Sequence, residues 1–207
     1  MTTNTSLIPG QYYHIYNRGN NGQDAFFEGR NYRYFLKLYA RYIEPVAETF
    51  AYCLLKNHFH FLLRIQMDEE RLAKIGAVSE TAPISPLKPP SRHFNNMFIA
   101  YTKAINKAYQ RTGSLLEKPF RRKLVESDRY FMQLIIYIHR NPQKHGFVDD
   151  FRDWPWSSYR TLITTYPTRL KRLSVMDWFG GSDNFVEAHR VKVNQVDIES
   201  LIEDDWV

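Results

Sequence analysis

Glu48-Thr49-Phe50-Ala51-Tyr52-Cys53-Leu54-Leu55-Lys56-Asn57-His58-Phe59-His60-Phe61-Leu62-Leu63-Arg64-Ile65 is the stretch on which the reading of the fold turns. Aromatic and aliphatic residues dominate it, and Lys56-Asn57 interrupts them at the middle. That pattern predicts two strands, Glu48–Leu55 and His58–Ile65, closed into a hairpin by a two-residue hinge. Successive side chains of a strand point to opposite faces. On the second strand Phe59, Phe61, Leu63 and Ile65 therefore share one face, and all four are apolar. His58, His60, Leu62 and Arg64 share the other. Two imidazoles side by side at the start of a strand can grip one divalent metal. Two histidines on a half-exposed sheet face are also ordinary structure, and they are too few ligands to hold an ion. A metal reading needs a third group from elsewhere.

Working outward from the hairpin, Gln11–Asn17 reads as a strand and Arg18-Gly19-Asn20-Asn21-Gly22 as a turn. Arg30–Glu44 carries Tyr32, Phe35, Leu36, Tyr39 and Ile43 at helical spacing, and Pro45 stops it. Gln66–Ser91 contains Pro83, Pro86, Pro89 and Pro90 and reads as a long loop. Arg92–Arg111 is helical, with Phe94, Met97, Phe98, Tyr101, Ile105 and Tyr109 on one stripe and Lys103, Lys107 and Arg111 on another. Arg121–Glu126 is a short strand. Ser127 caps a following helix, Asp128 suits its first turn, and Pro142 is expected to end it near Asn141. The order strand, helix, hairpin, helix, strand, helix gives an α+β sandwich of antiparallel strands with helices packed on the sheet. The chain after Gly146 is less regular. We expect a domain over residues 11–148 and a small irregular or helical C-terminal appendage over 149–207.

The chain has 207 residues, with 28 Lys and Arg against 22 Asp and Glu. That length supports a sizeable core without disulfide or metal staples. Cys53 is the only cysteine, which excludes an intramolecular disulfide and a cysteine-rich zinc site. No apolar run reaches the roughly 18–20 residues of a membrane span, and Met1–Gly10 lacks the apolar core of a signal peptide. The expectation is a soluble, cytoplasmic protein with no membrane partner. The net charge of +6 is unevenly placed: residues 88–130 hold ten Lys or Arg and three acids, whereas residues 194–207 hold five acids and no base. A basic middle with an acidic tail suits nucleic-acid binding. With 14 Tyr, 14 Phe and 4 Trp, aromatics are plentiful enough both to fill a core and to stack on unpaired bases.

The helix after Ser127 supplies a candidate for that third group. Phe131, Leu134, Ile135 and Ile138 form its apolar stripe. At about 100° per residue, Tyr137 falls on the flank of that stripe, with Asn141 one turn on. His139 projects away from Tyr137. On its own Tyr137 reads as a core tyrosine with its hydroxyl at the surface.

Lys56-Asn57-His58-Phe59-His60-Phe61-Leu62-Leu63 together with Tyr137-Ile138-His139-Arg140-Asn141-Pro142-Gln143-Lys144-His145-Gly146-Phe147-Val148 resembles the single-tyrosine HUH transposases of the IS200-like family, in their REP-associated tyrosine transposase branch. Three further segments resemble the same branch, in the same order: Tyr13-His14-Ile15-Tyr16-Asn17-Arg18-Gly19, Leu115-Leu116-Glu117-Lys118-Pro119-Phe120-Arg121-Arg122, and Trp154-Pro155-Trp156-Ser157-Ser158-Tyr159. The resemblance implies a ferredoxin-like α+β fold. It also implies a metal-dependent enzyme that cleaves and transfers single-stranded or hairpin DNA through a covalent 5′-phosphotyrosine. Carried over residue by residue, it makes Tyr137 the nucleophile and His58, His60 and Asn141 the ligands of Mg²⁺ or Mn²⁺. Arg18, Arg121, Arg122 and Lys123 match more loosely and are expected to bind DNA. Related transposases exchange the tyrosine helix between subunits, so the resemblance admits a homodimer. Two other readings stand beside it: a catalytically silent, domesticated nucleic-acid-binding protein, and a hydrolytic metal phosphodiesterase.

Overall fold

The computed structural model describes residues 6–76 and 87–190. These residues form four strands, β1 (Tyr12–Arg18), β2 (Ala47–Leu54), β3 (His58–Ile65) and β4 (Arg121–Leu124). Seven α-helices accompany them: α1 (Gly29–Tyr42), α2 (Asp68–Gly76), α3 (Pro90–Ala108), α4 (Asp128–Lys144), α5 (Tyr159–Ile163), α6 (Arg172–Phe179) and α7 (Ser182–Arg190). The strands make one antiparallel sheet in the order β2-β3-β1-β4. The expected α+β class is present, and the expected elements follow in the expected order with α2 added after the hairpin.

The alternation on β3 decides what lies on each side. Phe59, Phe61, Leu63 and Ile65 join Tyr13 and Ile15 of β1 in a core closed by Phe35, Leu38 and Tyr39 of α1 and Phe94, Met97, Tyr101 and Ile105 of α3. Phe59 has no exposed surface, and its ring lies 5.1 Å from Phe35 and 5.6 Å from Phe98. Burying that ring contributes about 1.5–3 kcal/mol. It also holds the strand in one register, because a slip of one residue would bring both histidines into the apolar layer. On the other face Leu62 joins Phe50, Ala51 and Cys53 of β2 beneath Phe131, Leu134, Ile135 and Ile138 of α4. A register irregularity between Thr49 and Ala51 interrupts the alternation of β2. Thr49 accordingly pairs with Tyr39 of α1, whereas Ala51 packs on the α4 side.

Residues 151–190, expected as an appendage, pack into this second core. Phe151, Tyr159, Leu162, Val175 and Phe185 belong to the same cluster as α4 and β2. The Leu54 amide donates to the Trp156 carbonyl at 2.9 Å, and the Trp154 indole donates to the Leu54 carbonyl at 2.8 Å.

Two expectations need correction. The stretch read as a loop from Gln66 to Ser91 contains α2. Asp68, Glu69 and Glu70 occupy the first turn of α2, where negative charge favours a helix, and Glu70 caps the Met67 amide at 2.6 Å. Prolines occur only later in that stretch, and residues 77–86 lie outside the described ones, as does the acidic tail 194–207. The second correction concerns Pro142, which does not end the last predicted helix: α4 runs on to Lys144. The missing amide removes one helical bond. The next turn still closes, with the His145 amide on the Asn141 carbonyl at 3.0 Å and the Phe147 amide on the Pro142 carbonyl at 2.9 Å. The N-terminus of α4 follows expectation, Ser127 Oγ accepting from the Tyr130 amide at 3.2 Å.

Candidate active site

Gly19 fixes the end of β1. Its amide donates to the Asn57 carbonyl at 2.7 Å, tying the turn after β1 to the β2–β3 hinge. A Cβ there would stand 1.8 Å from the Gln23 carbonyl oxygen, so any larger residue would push the backbone apart. Arg18 is thereby held opposite His58, and Tyr16 opposite His60.

On the α4 face the predicted residues converge within one chain. His58 is 7% exposed, and His60 and Asn141 are fully buried. His58 Nε2 lies 3.0 Å from Asn141 Oδ1, and the other ring nitrogen, Nδ1, lies 2.8 Å from Asn57 Oδ1. The His58 and His60 ring centroids are 5.1 Å apart. Half-buried Tyr137 stands edge-on to His60, with ring centroids 5.5 Å apart. Asn141 lies one turn further along α4, at the i+4 position that faces the same way.

The site holds residues that sequence reasoning gave no role. His14 and Tyr16 lie on the histidine face of β1. His14 stacks on Tyr16 at 4.5 Å and meets His60 through Nε2···Nδ1 at 2.9 Å. The signal was available: alternation sets His14 and Tyr16 opposite buried Tyr13 and Ile15. His145 lies 4.9 Å from His58, and Lys144 Nζ lies 5.7 Å from the centre of the Tyr137 ring. Continuation of α4 past Pro142 puts both there, which the expected helix end concealed. His139 does point away, as its helical position implied, and bonds His189 and Ser158 instead.

The basic candidates divide between the two faces. Arg121 pairs with Tyr16 and Lys123 with His14 across β1 and β4, so both lie on the histidine face. Arg122 pairs with Ile15 and lies over the Phe120 ring at 4.6 Å, on the α3 face. Arg18 Nε contacts Glu117 Oε1 at 2.5 Å, and Arg121 approaches the same carboxylate at 3.8 Å.

Burial controls the charge of the imidazoles. It pushes His58 down to about 4, with His145 and Arg18 acting in the same sense and the Asn141 contact opposing. It pushes His14 down to about 3, helped by Lys123. It holds His60 well below the ordinary imidazole value, with His14 and His58 as the next causes. All three rings are therefore neutral at pH 7, the form that binds metal.

The donor set fits a divalent cation. Among the described residues buried His60 Nε2 and Asn141 Nδ2 have no hydrogen-bond partner, an arrangement native proteins seldom leave unexplained. Neutral His58 has a single N–H, yet both of its nitrogens face amide oxygens. If Nδ1 donates to Asn57, Nε2 and Asn141 Oδ1 present lone pairs to each other. A cation held by both would remove that conflict, as would a rotated Asn141 amide that presents Nδ2–H to His58 Nε2. Ligands about 2.1 Å from an octahedral ion lie about 3 Å apart along each edge, and His58 Nε2 and Asn141 Oδ1 are 3.0 Å apart. Among the described residues no group of three His, Cys, Asp or Glu side chains converges on a metal position, so an asparagine oxygen is needed to complete the set.

No family model matches the chain. A Haemophilus influenzae protein named as a REP-associated tyrosine transposase is 28% identical over 138 residues, covering 66% of this chain and 69% of that protein. The solved structure of a REP-associated tyrosine transposase bound to a REP hairpin shares the fold, with a TM-score of 0.59 at 16% identity, over 81% of this chain and 88% of that one. No helix among the described residues is long and apolar enough to cross a membrane. By its own motifs, by its relative and by its fold, the chain resembles the REP-associated tyrosine transposase branch of the single-tyrosine HUH transposases.

Proposed function

We propose that this chain is a transposase-like enzyme that cleaves and rejoins single-stranded or hairpin DNA through Tyr137. The observation that carries the reading is the meeting of His58, His60, Asn141 and Tyr137 on one sheet face of one chain, with polar atoms of His60 and Asn141 buried and unpartnered among the described residues. His58 Nε2, His60 Nε2 and Asn141 Oδ1 would hold Mg²⁺ or Mn²⁺. When bound, such an ion polarises the scissile phosphate and offsets the charge that builds up on it.

The chain's own groups do the rest. The Tyr137 phenol gives up its proton and its oxygen bonds to phosphorus, while the bond from phosphorus to the 3′-oxygen breaks. That oxygen takes up a proton and leaves as a free 3′-hydroxyl, and the DNA stays on Tyr137 as a 5′-phosphotyrosine. Phenol has a reference pKa of about 10, so phenolate is a fair leaving group and a 3′-hydroxyl can attack the linkage and reseal the strand. Lys144 places an ammonium beside the tyrosine ring, where it favours an approaching phosphate. Arg121 and Lys123, on the same face, would follow the DNA backbone. The tyrosine and the histidines meet without a second subunit, which supports an active site complete within one chain.

A labelled single-stranded or hairpin oligonucleotide incubated with the protein and Mn²⁺ should give a covalent adduct that survives denaturant. Tyr137→Phe should abolish it. An adduct that persists unchanged in that variant removes Tyr137 as the nucleophile. DNA binding at normal affinity with no adduct on any hairpin or metal favours the catalytically silent reading instead.

A further inference from the structure

His14 is fully buried, stacked on Tyr16, and bonded through Nε2 to His60 Nδ1. A metal on His60 Nε2 needs that nitrogen bare, so the single ring proton must sit on Nδ1. Among the described residues the partner of Nδ1 is His14 Nε2, at 2.9 Å. Asn57 Oδ1 stands in the same relation to His58 Nδ1, at 2.8 Å. Each candidate ligand thus has a hydrogen-bond partner behind it on Nδ1; His58 turns Nε2 to Asn141 Oδ1, and His60 Nε2 is buried with no partner among the described residues. The two partners differ in kind. An amide oxygen can only accept, so Asn57 allows one His58 tautomer. His14 can accept or donate, so it permits either tautomer of His60. Ligating histidines commonly donate their other N–H to such a partner, which fixes the ring and raises its basicity.

We propose that His14 is a positioning residue for a metal site: it accepts the His60 Nδ1–H and so holds His60 in the tautomer whose Nε2 can bind a divalent cation. This rests on reading His58, His60 and Asn141 as the ligand set. In that state the His14 proton sits on Nδ1, an atom that is buried and has no hydrogen-bond partner among the described residues. The arrangement without metal can reverse both tautomers, so ion binding and the His14 tautomer are linked. The flat face of Tyr16 against His14 keeps the ring in line for this exchange.

The test measures Mn²⁺ binding to the full chain by calorimetry, without DNA. His14→Phe keeps a ring of similar size and removes the acceptor. It should weaken Mn²⁺ binding by about ten- to a hundred-fold and leave the melting temperature of the metal-free protein unchanged or higher. His14→Gln restores an acceptor oxygen and should recover most of the affinity. Wild-type affinity in His14→Phe, or no recovery in His14→Gln, overturns the proposal. Should His14→Phe fail to fold, ¹⁵N spectra of the wild-type imidazoles with Mg²⁺ decide it: His60 protonated on Nδ1 supports the assignment, and His60 protonated on Nε2 overturns it. A wild-type protein whose Mn²⁺ binding survives His60→Ala instead defeats the ligand set itself, a result distinct from unchanged binding in His14→Phe alone.

Discussion

Asn141 shows how little of a residue's role resides in its type. It is fully buried, in a helix, one residue before a proline, three conditions that disfavour asparagine. The contact of its Oδ1 with His58 Nε2 gives the reason it is there. Asn141→Ala deletes that oxygen and leaves two imidazoles, so Mn²⁺ binding should fall by at least about ten-fold, a minimum set by what even an outer partner contributes. Asn141→Asp keeps an oxygen and adds charge, and should bind Mn²⁺ at least as tightly as the wild type. Calorimetry on both variants checks this, and equal affinity in Asn141→Ala would remove it from the ligand set. His145 and Lys144, beyond Pro142, are exposed, yet each lies against a residue of the site, His145 beside His58 and Lys144 over the Tyr137 ring.

At the scale of elements, α4 carries the tyrosine on one side and is clamped from the other. His139 Nδ1 bonds His189 Nε2 at 2.8 Å, and His189 Nδ1 donates to the Phe185 carbonyl at 2.7 Å, so α7 is latched to the helix that holds Tyr137. With Nδ1–H committed to Phe185, His189 must accept at Nε2, and His139 is the donor. Burial pushes His189 down to about 4, with Arg140 acting in the same sense and the Phe185 bond opposing. Both rings are neutral in the fold, whereas the unfolded chain takes up protons near pH 6.5. The contribution is therefore complete above pH 6.5 and lost as pH falls toward 4. At 1.36 kcal/mol per pH unit, His189 alone should lose on the order of 2 kcal/mol by pH 5. His14, His58 and His60 titrate in the same sense, so the wild type should weaken by more than this. Urea melts at pH 7 and pH 5 should show a smaller acid loss for His189→Leu than for the wild type; an equal loss would show that the latch does not sense protons.

For the whole molecule, the net charge matters less than its distribution over the two sheet faces. The basic run at residues 121–123 reads as one patch in the sequence, but strand alternation sends Arg121 and Lys123 to the histidine face and Arg122 to the α3 face. Single-stranded DNA that reaches Tyr137 along the histidine face should release about 0.7 counterions for each phosphate neutralised there. Arg121→Ala and Lys123→Ala should each weaken DNA binding and lower the slope of log affinity against log salt by roughly that amount. Arg122→Ala should leave the slope unchanged. Binding measured across a salt series separates the three, and equal losses in all of them would place the DNA elsewhere. A cavity of about 550 Å³ between α3 and residues 113–120, lined by Phe98, Lys103 and Phe120, also lies on the α3 face. The mechanism proposed for Tyr137 makes no use of it.

The sequence alone determined the α+β class, the β2–β3 hairpin and the face on which His58 and His60 lie, because a period of two and one continuous apolar face on β3 allow few alternatives. The resemblance of its motifs singled out Tyr137 and Asn141, which as i and i+4 on a helix face the same way. Other features needed tertiary contacts. His14 joined the site only through its bond to His60, which is 46 residues away. The end of α4 lies beyond Pro142 because the proline costs one local bond, while the His145 and Phe147 amides close the next turn on the Asn141 and Pro142 carbonyls. Residues 151–190 complete the second core, where burial of Phe151, Tyr159, Leu162, Val175 and Phe185 against α4 and β2 settles their place in the fold. Local spacing fixes direction along a strand or helix; which side chains meet across the sheet depends on register and packing, and those are set only when the whole chain has folded.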